Sequence, residues 1–457
     1  MSHSSNLSAV NVPVSQSSPR PLNDLTELLD HLTHAVEEQL GLVTESNSIL
    51  GLAFYFGDGL QRAVTDSIFD LFQPATWSPA NLLRLSSAAM HQSMQIISLL
   101  NPEQARLAWQ ELRNKLEIFL LVKNLSAKLG LPPGQFIPLP ALVEKAYSLS
   151  PFEALWAVEG VGHYYTDMYW EQKGVPNGLL SEAQAPVPSK SLLMLHAGLG
   201  LAFADRLLDT LDPDVPSESR TDAVLKEFIS LCENNSRPGY LGAAIESLGL
   251  VTRDFYPESL DIVQRQFQKI APQLTGFFWH GVGRGFYFSR EYFLPVLTMA
   301  SNAVDEVRNC ADQKSAMAGL AWAVTLVNMR QPAIMEGILQ RQTGQLSLAD
   351  AFSDGVTSSI IMRQDTTPDQ PFTSAFCEYR PQDQRMRVLW EGLISVPCAL
   401  GLNEYYPVLK RHRALDQIFK FTDLPLLVAY LSRQPQPSSS AAWSASAREG
   451  ALPQLAQ

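Results

Sequence analysis

Phe277-Phe278-Trp279-His280-Gly281-Val282-Gly283-Arg284-Gly285-Phe286-Tyr287-Phe288 sets an imidazole, a guanidinium and three glycines inside one aromatic block. Each glycine in a helix interior costs about 1 kcal/mol relative to alanine. Three within five residues therefore ask for a packing or binding reason. The block also has an echo. Glu159-Gly160-Val161-Gly162-His163-Tyr164-Tyr165 repeats its G-V-G centre 121 residues earlier. Leu195-His196-Ala197-Gly198-Leu199-Gly200-Leu201-Ala202 stands at the same offset from Ala316-Met317-Ala318-Gly319-Leu320-Ala321-Trp322-Ala323, as Pro151 does from Pro272. Anchors that share one spacing without a gap read as two diverged copies of one helical unit, over 130–250 and 251–370.

The expected fold is mainly α, a multi-helix body whose internal duplication surrounds an apolar pocket. Around the two repeats the chain divides into a disordered segment at 1–22, helical regions at 23–129 and 371–433, and a disordered tail at 434–457. Start signals support the helices. Ser150-Pro151-Phe152-Glu153 is a capping box with proline at the first helical position. Ser78-Pro79 and Asn101-Pro102 place a capping residue before proline. The spacing of Leu25, Leu28, Leu29, Leu32, Val36 and Leu40 predicts an amphipathic helix, and Met386 to Leu402 and Leu415 to Leu431 read as helical. Val356 to Ile361 is the best strand signal. Asp354 to Pro381, rich in Asp, Thr, Gln and Pro, reads as a long loop.

The balance of the chain excludes some functions. Charged residues are 18% of the 457 and the net charge is −12, which suits a large apolar interior and argues against a phosphate-tracking nucleic-acid binder. Four dispersed cysteines form no CxxC, so a reducing cytoplasm is the expected home. No window of 18 uninterrupted apolar residues predicts a transmembrane segment.

The polar groups carry the chemistry. Glu159 and His163 are four apart and so neighbours on a helix face that otherwise carries Phe152, Leu155 and Trp156. At the matching places of the second copy stand His280 and Arg284, and His196 gives way to Met317. Charges entering a core must pair, lose their charge or bind something. Three readings stay open. Glu159, His163, His196 and Arg284 could form an acid/base pocket, with His280, Trp156, Tyr165, Trp279 and Tyr287 binding substrate. Glu159, His163, His196 and His280 could hold a transition metal. Or Glu159 and Arg284 form a plain buried ion pair, with the histidines bonded to carbonyls, and a solid centre of that kind would remove the reason for a pocket. The glycines follow no strand, which excludes a dinucleotide fingerprint.

Val158-Glu159-Gly160-Val161-Gly162, the His196 phrase, Gly281-Val282-Gly283-Arg284-Gly285-Phe286-Tyr287-Phe288 and Met317-Ala318-Gly319-Leu320-Ala321 together resemble a bacterial family found in enediyne-type polyketide gene clusters. The similarity spans about residues 150–330. Where that family has an acid and a histidine between its second and third motifs, this chain has Arg237-Pro238-Gly239-Tyr240-Leu241-Gly242-Ala243-Ala244. The resemblance implies specialised-metabolite biosynthesis on a lipophilic polyene or polyketide, with pathway proteins as partners, and it singles out Glu159, His196 and Arg284. The leading expectation is an enzyme on such a substrate, and the alternative is a non-catalytic carrier.

Overall fold

A computed structural model describes residues 102–132, 134–182, 184–212, 217–289, 304, 307–341 and 348–435. The expected helix at Leu25 to Leu40, the Ser78 and Asn101 caps and the segment 1–22 lie outside them, as does nearly all of the tail. The described residues form helices and no strand. In chain order the α-helices of seven or more residues as far as Cys377 are α1 (Pro102–Lys123), α2 (Leu139–Tyr147), α3 (Pro151–Lys173), α4 (Leu192–Leu208), α5 (Glu218–Asn235), α6 (Leu241–Phe255), α7 (Leu260–Ile270), α8 (Thr275–Phe288), α9 (Cys310–Asn328), α10 (Pro332–Arg341), α11 (Ala349–Thr366) and α12 (Pro371–Cys377).

The capping box forms as the sequence dictates. The Ser150 hydroxyl accepts from the Glu153 amide, and the Glu153 carboxylate accepts from the Ser150 amide. Six helices then pack in series, α3 on α4, α4 on α6, α6 on α8, α8 on α9 and α9 on α11. Their glycines set the spacing. A Cβ on Gly162 would enter the Leu195 carbonyl, and one on Gly198 the Glu159 carbonyl. The α8/α9 crossing uses the same pair of contacts, with Gly283 against the Ala316 carbonyl and Gly319 against the His280 carbonyl. Gly162 and Gly283 are 121 residues apart, as are Gly198 and Gly319. Backbones in such contact gain dispersion and Cα–H···O attraction that offset the low helix propensity of glycine.

Three expectations need correction. Val356 to Ile361 is no strand, and the predicted loop from Asp354 is helix α11 as far as Thr366. Its β-branched run is buried against α9 through Gly355, and the Thr357 and Ser359 hydroxyls bond back to their own helix carbonyls. Tertiary packing overrides local propensity there. The expected helix at Leu415 to Leu431 is broken, with a 3-10 turn at Leu415–Phe419 and helix only at Leu424–Leu431, capped by Asp423. The helix expected near Met386 runs from Gln384 to Arg411 but contains two π-helical stretches, Glu391–Ser395 and Gly401–Tyr405. Prolines 397 and 407, which lack an amide donor, follow these stretches and account for the relaxed winding.

Among the described residues one helix, Ser189–Leu208, is long and apolar enough to cross a membrane, and 83% of its most apolar window is buried in the body. Burial among its partners accounts for apolarity on all faces. The cysteines, distant in sequence, are not all distant in space: the Cys377 and Cys398 thiols are hydrogen-bonded to one another.

Candidate functional site

Where α3, α6 and α8 meet, four ionisable side chains are enclosed together. Arg284 of α8 donates from Nη2 to Glu159 Oε1 of α3 at 3.0 Å and from Nη1 to Glu246 Oε2 of α6 at 2.8 Å. His280, one turn before Arg284 on α8, has Nδ1 at 3.0 Å from Glu246 Oε1. Glu246 and His280 have no solvent exposure, and Arg284 and Glu159 almost none. An aromatic wall surrounds them. The Arg284 guanidinium stands 4.4 Å from the centre of the Trp322 ring. Trp156 meets Trp322 edge to face, and both His280 and Trp322 meet Phe419.

Burial dominates the electrostatics. It pushes the Glu159 carboxyl above its ordinary range against the pull of Arg284 and draws the His280 imidazole down against its bond to Glu246. It also disfavours the Arg284 charge, but the two carboxylates more than compensate and hold the guanidinium charged. The consistent state is a neutral imidazole with its Nδ1 proton donated to Glu246, leaving Nε2 as a bare acceptor. Four buried atoms around Trp322 have no hydrogen-bond partner among the described residues: His280 Nε2, Arg284 Nε, Trp156 Nε1 and Trp322 Nε1. Buried polar atoms are rarely left unmet, so an acceptor and three donors gathered here call for an explanation.

The structure brings Glu159, His280, Arg284 and Trp156 together and leaves the other predicted residues elsewhere. His163 lies a turn beyond Glu159, where α3 leaves the core. Its side chain is half-buried and pairs with Asp167 at 3.2 Å. His196 is buried but fully satisfied, with Nδ1 on the Leu192 carbonyl at 2.6 Å, Nε2 accepting the Arg237 amide at 3.0 Å and its ring stacked on Tyr240. Tyr165 packs with Phe136 and Tyr169. The Trp279 indole bonds the Asp312 carboxyl, which burial raises to about 6. Tyr287 belongs to a separate buried cluster, donating to Glu111 and accepting from Asn328 at 2.8 Å each, with the Lys115 ammonium over its ring. The metal candidates therefore do not converge. Among the described residues no three His, Cys, Asp or Glu side chains are placed to share an ion.

Glu246, Trp322 and Phe419 escaped the reading of the sequence. For Glu246 a signal was present. Glu246-Ser247-Leu248-Gly249 sets an acid three residues before a contact glycine, as Glu159 precedes Gly162 and His280 precedes Gly283. Gly249 lies against the Phe278 carbonyl and Gly281 against that of Glu246. Nothing local marks Phe419.

The chain matches no protein-family model, no curated protein and no solved structure.

Proposed function

We propose that this protein is an enzyme that moves protons on a lipophilic small molecule, with His280 as the base, Glu246 as its positioning carboxylate and Arg284 as the stabiliser of developing negative charge on oxygen. One observation carries the reading: the unpartnered Nε2 of a neutral, fully enclosed imidazole whose other nitrogen is fixed by a carboxylate. A carboxylate that holds Nδ1–H sets the tautomer and leaves Nε2 able to take a proton. Arg284 Nε and the two indole N–H groups supply donors for an oxygen that gains charge. Glu159, which burial inclines to hold a proton, returns one.

The plain ion-pair reading accounts for the bond between Glu159 and Arg284. It gives no reason for four unpartnered polar atoms beside that pair. The aromatic lining favours a flat or unsaturated substrate, and the motif resemblance favours a polyene or polyketide intermediate of specialised metabolism. The duplication belongs to the same proposal. Two copies offset by 121 residues explain why α3/α4 and α8/α9 cross on equivalent glycines, and the apolar pocket is the space between them that opens when substrate enters.

The test uses the full chain and a conjugated polyene, cis-parinaric acid, followed by its own fluorescence, together with mass spectrometry of any lipophile that copurifies. Wild type should bind the polyene and catalyse deuterium uptake from D2O into the copurified molecule. His280→Gln should still bind and should lose the exchange. Wild-type protein that neither carries nor binds a lipophile would overturn the proposal, and exchange that survives in His280→Gln would remove the base.

A further inference from the structure

A second enclosed cation has no carboxylate partner among the described residues. Arg363, near the end of α11, has no exposure to solvent. Its Nη1 donates to the Pro151 carbonyl at 3.0 Å and reaches the Thr367 hydroxyl at 3.3 Å. Its Nε and Nη2 have no hydrogen-bond partner among the described residues. These two nitrogens form the side-on edge of the guanidinium, the edge that receives both oxygens of a carboxylate. Phe152 and Phe372 flank the group, with ring centres 5.4 and 5.3 Å from its carbon. The neighbouring Arg330 is already neutralised by Glu117 at 2.6 Å, so the local excess is a single positive charge. Burial, helped by Arg330, draws the Arg363 guanidinium down to about 9. An unpaired charge held in such a place is unfavourable for a folded protein unless something else neutralises it.

We infer that Arg363 is the anchor for the carboxylate of a lipophilic acid, bound side-on through Nε and Nη2 beside the Phe152–Phe372 ring pair. This deepens the proposed function and rests on it for the identity of the ligand's other end. A carboxylate fits better than a phosphate, because one charge and one open edge are on offer. The position along α3 supports the same ligand. Phe152, Trp156 and Glu159 follow one another on a single face of α3, and seven residues of helix span about 10 Å. Trp156 lies between the Arg363 end and the Glu159 end and packs on Trp322. An acid anchored at Arg363 would thus run its apolar chain over Trp156 toward Arg284 and His280. Phe372, half-buried on the short helix α12, forms the outer wall of the anchor.

The experiment compares cis-parinaric acid, its methyl ester and decyl phosphate on full-length wild type, Arg363→Met and Arg363→Lys, each variant first checked for helical content. A charge-assisted bidentate contact predicts that wild type prefers the acid to the ester by about tenfold or more. That preference should vanish in Arg363→Met and shrink in Arg363→Lys, which keeps the charge and loses the fork. His280→Gln should keep it in full, which separates this inference from the catalytic one. Equal binding of acid and ester by wild type would overturn the anchor, as would a preference that survives in Arg363→Met. Decyl phosphate bound more tightly than the acid would overturn the choice of a carboxylate.

Discussion

His196 and His280 are both enclosed, both held neutral by burial and both carried on glycine-rich helices. Around His196 every valence is met, since one ring nitrogen faces a carbonyl and the other receives an amide proton. Around His280 one nitrogen is fixed and the other is bare. Burial and a perturbed pKa are common to both imidazoles and do not distinguish them. The unmet valence is what marks His280 for the proposed role. Arg284 and Arg363 differ among the cations: the first bridges Glu159 and Glu246 and leaves only Nε open, and the second has no carboxylate and leaves both Nε and Nη2 open among the described residues.

The sharpest way to break this comparison is to remove the group that organises the His280 side. Glu246→Ala strips a partner from both His280 and Arg284 in a site without water-facing surface, and a loss of about 3–5 kcal/mol in unfolding free energy is expected. Chemical denaturation measures it. A loss below about 1 kcal/mol would mean that the network is not a tightly enclosed one.

His196→Phe probes the other side of the comparison. It leaves the Arg237 amide unmet and takes from the Leu192 carbonyl its second bond while the helical one stays, for an expected loss of about 1–3 kcal/mol at neutral pH, with no loss of the lipophile-dependent exchange. The pH dependence gives a second readout. The His196 pKa is depressed to about 3 in the folded state, chiefly by burial, from an ordinary value of 6.5. Between those values the unfolded chain binds the extra proton, so this group's contribution to stability falls as pH drops from 6.5 toward 3. Wild type should therefore lose more stability than His196→Phe across that window. Parallel acid limbs in the two proteins would show that His196 is not held neutral.

The smallest effect belongs to His163, which stands four residues from Glu159 yet faces outward. Its bond to Asp167 is half exposed, and Asp167 keeps Arg206 as a second partner. His163→Ala should change stability by less than about 1 kcal/mol and leave exchange intact. A loss of exchange would return His163 to the site.

Part of the molecule was legible residue by residue. The Ser150 capping box acts within a single turn, and its helix starts where the sequence places it. The pairing of Glu159 with Arg284 was legible as an alternative, because two charges entering apolar faces have few ways to survive. The expected strand at Val356 to Ile361 failed because its small and β-branched residues answer to the α9 surface rather than to a pleat. His163 was placed with Glu159 by helical spacing, but spacing fixes a face of α3 and says nothing of where α3 leaves the core.

By itself the sequence determined a helical protein, the glycines that helices would have to approach, and an acid, an imidazole and a guanidinium with no business in an ordinary core. Caps, periodicity and composition act over a few residues, and a chain carries them before it folds. Only the tertiary structure decided that Glu246, 38 residues before Arg284, completes the cluster. It alone separated His196 from His280 and left the Arg363 edge open. Those outcomes depend on which partner's lone pair or proton comes within about 3 Å, and that distance is set by the packing of helices far apart in the chain.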